Sequence, residues 1–248
     1  MSNDKKNVNK AEYYLADIIT GKPHKITIGR KVLYLYPVTL AKQIMLRWYV
    51  DALEINTDIL KGSPEFEALR LVVNHRDVCC GMLAIHTSPN TYKDLYNMKA
   101  RAERRNLFMK ADDADLASIM LTVLSGDKAD VVMQHLGIDM EQERLKKVMS
   151  VKEKNGKNSV TFGGKSVFGA FIGQMKEMGF TVNEILYECG CSFLQLVLAD
   201  KLTSVYLSES ELDELPSLAV LAKTMDANDP HSADLILASL SGRGLKTK

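Results

Sequence analysis

Over most of this chain the apolar residues recur three or four positions apart, a spacing that admits α-helices and little else. One short stretch breaks the rhythm. In HKITIGRKVLYLYPVT (24–39), Ile26 and Ile28 alternate with polar neighbours, Gly29-Arg30 supplies a turn, and Val32 to Tyr36 is a β-branched and aromatic run. These features predict a β-hairpin closed by Pro37. The expected fold class is mainly α, a helical bundle with one short β-hairpin near the N-terminus.

Punctuation residues place the helices. Lys10 to Ile19 sets Tyr14 and Ile18 on one face and stops at Gly21 and Pro23. Thr39 is positioned to cap TLAKQIMLRWYVDALEI, whose buried stripe is expected along Leu40, Ile44, Trp48 and Leu53. The next helix starts at Ser63-Pro64, where proline suits the first helical position, and ends at Ser88-Pro89. Further helices are expected over Thr91 to Met109, Asp113 to Leu124, Ala129 to Leu136 and Met140 to Met149. The composition then shifts in VKEKNGKNSVTFGG (151–164), read as a linker or surface loop between a helical domain over 1–150 and a C-terminal helical unit over 165–248. That unit is expected to hold a helix from Lys165 to Met178 and a pair meeting at Gly190. Beyond them are expected a helix capped by Ser208 with Glu211, and a last one around Ser232 to Leu240.

Composition narrows the function classes. With 32 Lys plus Arg against 31 Asp plus Glu, the formal charge is +1, so no global field recruits nucleic acid or anionic membrane. The run FLQLVLA is far shorter than the ~20 residues that span a bilayer. The opening MSNDKKNVNKAEYY has no apolar core of a signal peptide, so the expected location is cytoplasmic. Cys79-Cys80 and Cys189-x-Cys191 lack the gaps of zinc fingers and ribbons; they are expected to be reduced, buried thiols.

No catalytic constellation stands out, and no enzyme activity, metal or cofactor is expected. GGKS (163–166) resembles the end of a phosphate-binding loop, but Ser159 stands where that loop needs glycine, and KEKNGKN precedes it in place of a buried strand. His75, Cys79 and His86 share a helix side, yet the seven residues from Cys79 to His86 add about 10 Å of rise, too far for one ion. Lys99, Arg101, Arg104 and Arg105 gather cations on one helix opposed only by Glu103: a solvated face, or a steering patch for an acidic protein surface or phosphate. In FGAFIGQM, Gly169 and Gly173 lie one turn apart beside Phe168, Phe171, Ile172 and Met175. Two interior glycines suggest close approach of another backbone, either within the molecule or from a partner helix seated in an apolar groove.

TVNEILYECGCSFLQLVLADK (181–201) has the spacing of a helix-turn-helix, with Thr181 and Glu184 as a capping box and Gly190 at the turn. A DNA-reading helix presents Arg, Lys, Asn or Gln to base edges. Here Phe193, Leu194 and Leu198 take those places, and Asp200 would repel phosphate.

Two segments together resemble tail assembly chaperones of tailed bacteriophages. KITIGRKVLYLYPVTLAKQIMLRWYV is similar to the strand pair, proline and threonine-leucine helix start of that family, and GFTVNEILYECGCSFLQLVLADK to its C-terminal helices. The resemblance implies a non-enzymatic protein that binds the tape measure protein, with the tail tube protein as a second candidate partner, before the tube polymerises. It also implies a partner-binding groove, for which Phe168, Phe171, Ile172, Met175, Phe193 and Leu194 are the candidates, with Arg101, Arg104 and Arg105 as a charged rim. The alternatives are a virion structural or adaptor protein and a nucleic-acid-binding regulator.

Overall fold

The computed structural model describes residues 2–126, 128–155, 168–201 and 205–215. The chain forms two compact units, one from residues 1–139 and 162–201, the other from 140–161 and 202–248. Each is therefore assembled from two separated stretches of sequence.

The first unit opens with helix α1 (Ser2–Thr20) and an antiparallel pair, β1 (His24–Ile28) and β2 (Lys31–Leu35), in which Ile26 faces Leu33. Ile26, Ile28 and Leu35 turn inward, so the alternation read from the sequence is the register of the hairpin. There follow α2 (Leu40–Leu53), α3 (Thr57–Gly62), α4 (Pro64–His86), α5 (Tyr92–Leu95), α6 (Met98–Met109), α7 (Asp113–Leu124) and α8 (Ala129–His135). The fold is mainly α with one hairpin, as the sequence implies.

Helix α4 is the axis of the unit: α2, α6 and α7 all pack on it. Its Leu71, Val72, Cys79, Cys80, Leu83 and Ile85 are buried together with Phe108 of α6 and Leu116 and Met120 of α7. The helix kinks at His75 (φ −131°, ψ 35°), and across the kink the Cys79 thiol donates to the Leu71 carbonyl (3.5 Å). At its other end Glu67, fully buried, accepts from the Asn56 backbone amide (2.7 Å) and from both Nε and Nη2 of Arg70 (each 2.7 Å). Arg70 also donates to the Glu54 carbonyl (3.0 Å), so one bidentate ion pair fastens the end of α2 and the start of α3 to α4. These donors hold the Glu67 carboxyl below its ordinary range, Arg70 first.

The structure corrects three expectations. The span from Thr91 to Met109 is two helices, because the Asn97 side chain accepts from the Ala100 amide (3.0 Å) and starts α6 afresh. The expected linker begins as helix: α9 (Ile138–Asn155) runs to its fifth residue, with Val151 buried. The rest of that linker, the GGKS motif and the helix expected at Ser232 to Leu240 lie outside the described residues. Thr39 occupies the cap position of α2, but its hydroxyl makes no capping bond.

The first unit ends with a π-helical turn (Phe168–Ile172) leading into α10 (Gly173–Glu177), a second π-helical turn (Glu184–Glu188), and α11 (Cys191–Ala199). The Thr181 amide and hydroxyl both donate to Glu184 (2.7 Å each) while the Glu184 amide donates to the Thr181 hydroxyl (3.2 Å), a complete capping box. In the second unit, described through most of α9 and residues 205–215, Ser208 caps the short α12 (Glu209–Asp213). Its amide and hydroxyl reach Glu211 at 2.8 and 3.0 Å, and Lys152 pairs with the same carboxylate at 3.6 Å.

Candidate functional site

The face that α2 turns inward is set by Lys42, Leu46, Tyr49 and Leu53, spaced four, three and four apart. Ile44 and Trp48, expected on the buried stripe, are instead 49% and 64% exposed. Leu46 and Leu53 enter the core around α4 with Tyr49 packed against it, and the rotation that buries them carries Lys42 inward as well. Its stem and amine are wholly buried where the end of the hairpin, α2 and the C-terminus of α4 meet. The amine donates to the His86 carbonyl (3.2 Å), which also accepts from the Tyr36 amide (3.0 Å), and it lies 5.2 Å from the centre of the Tyr36 ring.

Burial, and secondarily the nearby Arg104 cation, push the Lys42 amine down to about 7. Burial likewise lowers the His86 imidazole to about 3, so that histidine is neutral at physiological pH. Around them the Asn90 amide donates to the Pro37 carbonyl (3.1 Å), Arg104 donates to the Ser88 hydroxyl (3.2 Å), and the Thr39 hydroxyl and Asn90 carbonyl oxygen are buried without a partner. This polar knot is an internal fastening with no solvent access at its amine.

The apolar candidates divide by depth. Met175 and Leu194 are completely buried with Leu40 and Ile185, so they fill the core of their own unit. Phe171, Ile172 and Phe193 are partly buried and pack against that cluster; Phe193 also touches the Ile18, Val132 and Leu196 cluster, and its ring meets Phe180 edge-on at 6.3 Å. Phe168 opens the π-helical turn, and its side chain lies outside the described residues. The close approach expected at Gly173 is absent: among the described residues no atom stands within 4 Å of where its Cβ would be. A close approach does occur at Gly190, whose Cβ would sit 3.3 Å from Pro37. There the Cys191 amide donates to the Val38 carbonyl (2.7 Å), and Thr39 bridges Gly190.

The arginines of α6 lie toward α4. Arg105 pairs with Asp77, and Arg104 enters the polar knot through Ser88. Arg101 lies against the Met98 sulfur, and its Nε is buried with no partner. Helices α2 and α6 pack on α4 more than on each other, leaving a socket of about 190 Å³ between them. Gly81, Ala84 and Ile85 form its floor, Tyr49 one wall, and Met98, Arg101 and Arg105 the other. Gly81 is required: a Cβ there would come within 2.4 Å of Tyr49 Cε1. Sequence reading missed this socket. The signals available were a glycine inside a buried helix and a methionine one turn before Arg101.

Among the described residues no group of three His, Cys, Asp or Glu could hold a metal ion, and no helix is long and apolar enough to cross a membrane. Burial raises the Cys79 and Cys80 thiols to about 12 and about 11, unsuited to nucleophilic work near neutral pH. No family model, curated protein or solved structure matches this chain.

Proposed function

We propose that this protein is a non-enzymatic tail assembly chaperone that binds the helical tape measure protein of a tailed bacteriophage in the host cytoplasm. The observation that carries the reading is the outward face of α2. A helix in the segment that resembles this family shows Ile44 and Trp48 to solvent while burying a lysine. A large aromatic held outward beside an isoleucine one turn away suits reversible burial against a partner helix. On α4, Phe66 and Val73 are also exposed, at 61% each.

The test is co-expression with a phage tape measure protein. The chaperone reading expects that protein to become soluble and to co-purify, and Trp48→Glu to weaken both effects while leaving the chaperone folded. A tape measure protein equally insoluble with and without this chain would refute it. Mass spectrometry of finished particles separates a chaperone, which is absent from them, from a virion component.

A further inference from the structure

We infer that the socket between α2, α4 and α6 is a docking point for one apolar side chain of a partner helix that carries an Asp or Glu about one turn away. Two observations point to that occupant. The first is size. About 190 Å³ is below the ~300–1,000 Å³ of small-molecule and cofactor pockets, but above the ~150 Å³ cavity that accepts benzene. It has room for one Phe, Leu or Met, with the small side chain of Ala84 in the floor and Gly81 seating the Tyr49 ring that walls it. The second is charge. Arg101 and Arg105 stand one turn apart on the same wall, and no carboxylate lines the socket. Arg105 is engaged by Asp77, whereas the Nε of Arg101 is buried with its hydrogen-bonding capacity unused.

An incoming carboxylate pairs with the Arg101 guanidinium, and as that side chain turns to meet it the unpaired Nε also gains an acceptor, making the acidic residue a determinant of specificity as well as of affinity. Tyr49 joins the socket to the exposed face of α2: its ring packs edge-on against Trp48, with centroids 4.9 Å apart. An inserted side chain would therefore touch Tyr49 while the rest of its helix lay against Trp48 and Met98, which is 71% exposed. The inference rests on the protein-binding reading above and fails separately from it.

The test uses the full chain against a ribosome-displayed library of random short peptides, followed by calorimetric titration of the selected peptides. Selected peptides are expected to pair a large apolar residue with Asp or Glu within one turn. Replacing that acid by Lys should weaken binding about tenfold or more. Ala102→Trp, an exposed substitution at the mouth, should block binding without changing the circular dichroism. Arg101→Glu should reverse the selection toward peptides carrying Lys or Arg, an exchange that a merely structural arginine would not produce. The proposal is overturned by selection of no peptide, by peptides that bind equally with Lys and Glu, by binding that survives Ala102→Trp, or by duplex DNA in place of peptide competing for Arg101. If Ala102→Trp still solubilises the tape measure protein, the socket is not its docking point and the chaperone reading stands. If peptides bind as described and the tape measure protein does not, the reverse holds.

Discussion

Replacing Lys42 by Met should make the first unit more stable near neutral pH and remove a pH dependence that the native protein shows. The lysine has an ordinary pKa of 10.5, against about 7 in its buried setting under Tyr36, beside the His86 carbonyl and near the Arg104 cation. Between those values the unfolded chain carries a proton that the folded chain lacks, so the Lys42 contribution to stability rises with pH through the window and is level below it. The slope is half its full value near pH 7 and approaches about 1.36 kcal/mol per pH unit above it, giving a gain of about 1.6 kcal/mol from about pH 7 to about pH 8.5. The window stops there because Cys79 and Cys80, raised from 9.0, keep protons that the unfolded chain releases at higher pH, which reverses the trend. At about pH 7 the linkage cost of Lys42 is about 4 kcal/mol. Methionine also loses a hydrogen bond and a cation–π contact of about 1 kcal/mol each, leaving the variant ahead by about 2 kcal/mol. Urea unfolding followed by Trp48 fluorescence reads this unit directly. A native midpoint that does not rise between those pH values, or a Lys42→Met variant that keeps the rise, would refute the reasoning.

Gly81→Ala should destabilise the unit by about 1–3 kcal/mol, because the new methyl drives Tyr49 off its seat, and Tyr49→Ala in the same chain should recover part of the loss in urea titrations. Glu67→Ala strands the Asn56 amide and should cost about 1–3 kcal/mol by the same assay. Since the Glu67 carboxyl is held below its ordinary 4.5, its stabilisation is present above that value and lost as pH falls through the lowered one, so the native and Glu67→Ala stabilities should converge in acid. Cys79 and Cys80 should resist a thiol reagent in the native protein and react on unfolding, whereas the less buried Cys189 and Cys191 react first; rapid labelling of all four would contradict the packing around α4.

The sequence carried some of this clearly. Strand alternation at Ile26 and Ile28, proline at the start of α4, and the capping boxes at Thr181 and Ser208 are local signals, and each acts within a few residues of where it is written. What it hid was rotation. On α2 Leu40 and Leu53 are buried as expected, but between them Ile44 with Trp48, and Lys42 with Leu46 and Tyr49, both have helical spacing, and any hydrophobicity ranking prefers the first. The molecule takes the second because Leu46 enters the core, and it can do so because the His86 carbonyl and Tyr36 ring, 44 and six positions away in sequence, accommodate the lysine amine. Met175 and Leu194 illustrate the same limit from the other side. An apolar residue on a short helix can line an open groove or a closed core, and only the neighbours Leu40 and Ile185 decide for the core. The Arg101 donor was legible as charge, but not as an unpaired group within a socket.

The bridge between Thr39 and Gly190, with the Cys191 amide on the Val38 carbonyl, has a consequence for synthesis. Residues at the start of α2 find these partners about 150 positions later, after the stretch from 140 to 161 that belongs to the other unit has already emerged. At ~5–20 residues per second, the ribosome needs roughly 8–30 s to deliver them. Throughout that interval the nascent chain can complete its hairpin and its packing on α4, while Leu40 and Val38 wait for their cover. Translation speed through the intervening codons therefore sets how long that apolar edge is open to chaperones, to proteases or to a second nascent chain on the same messenger.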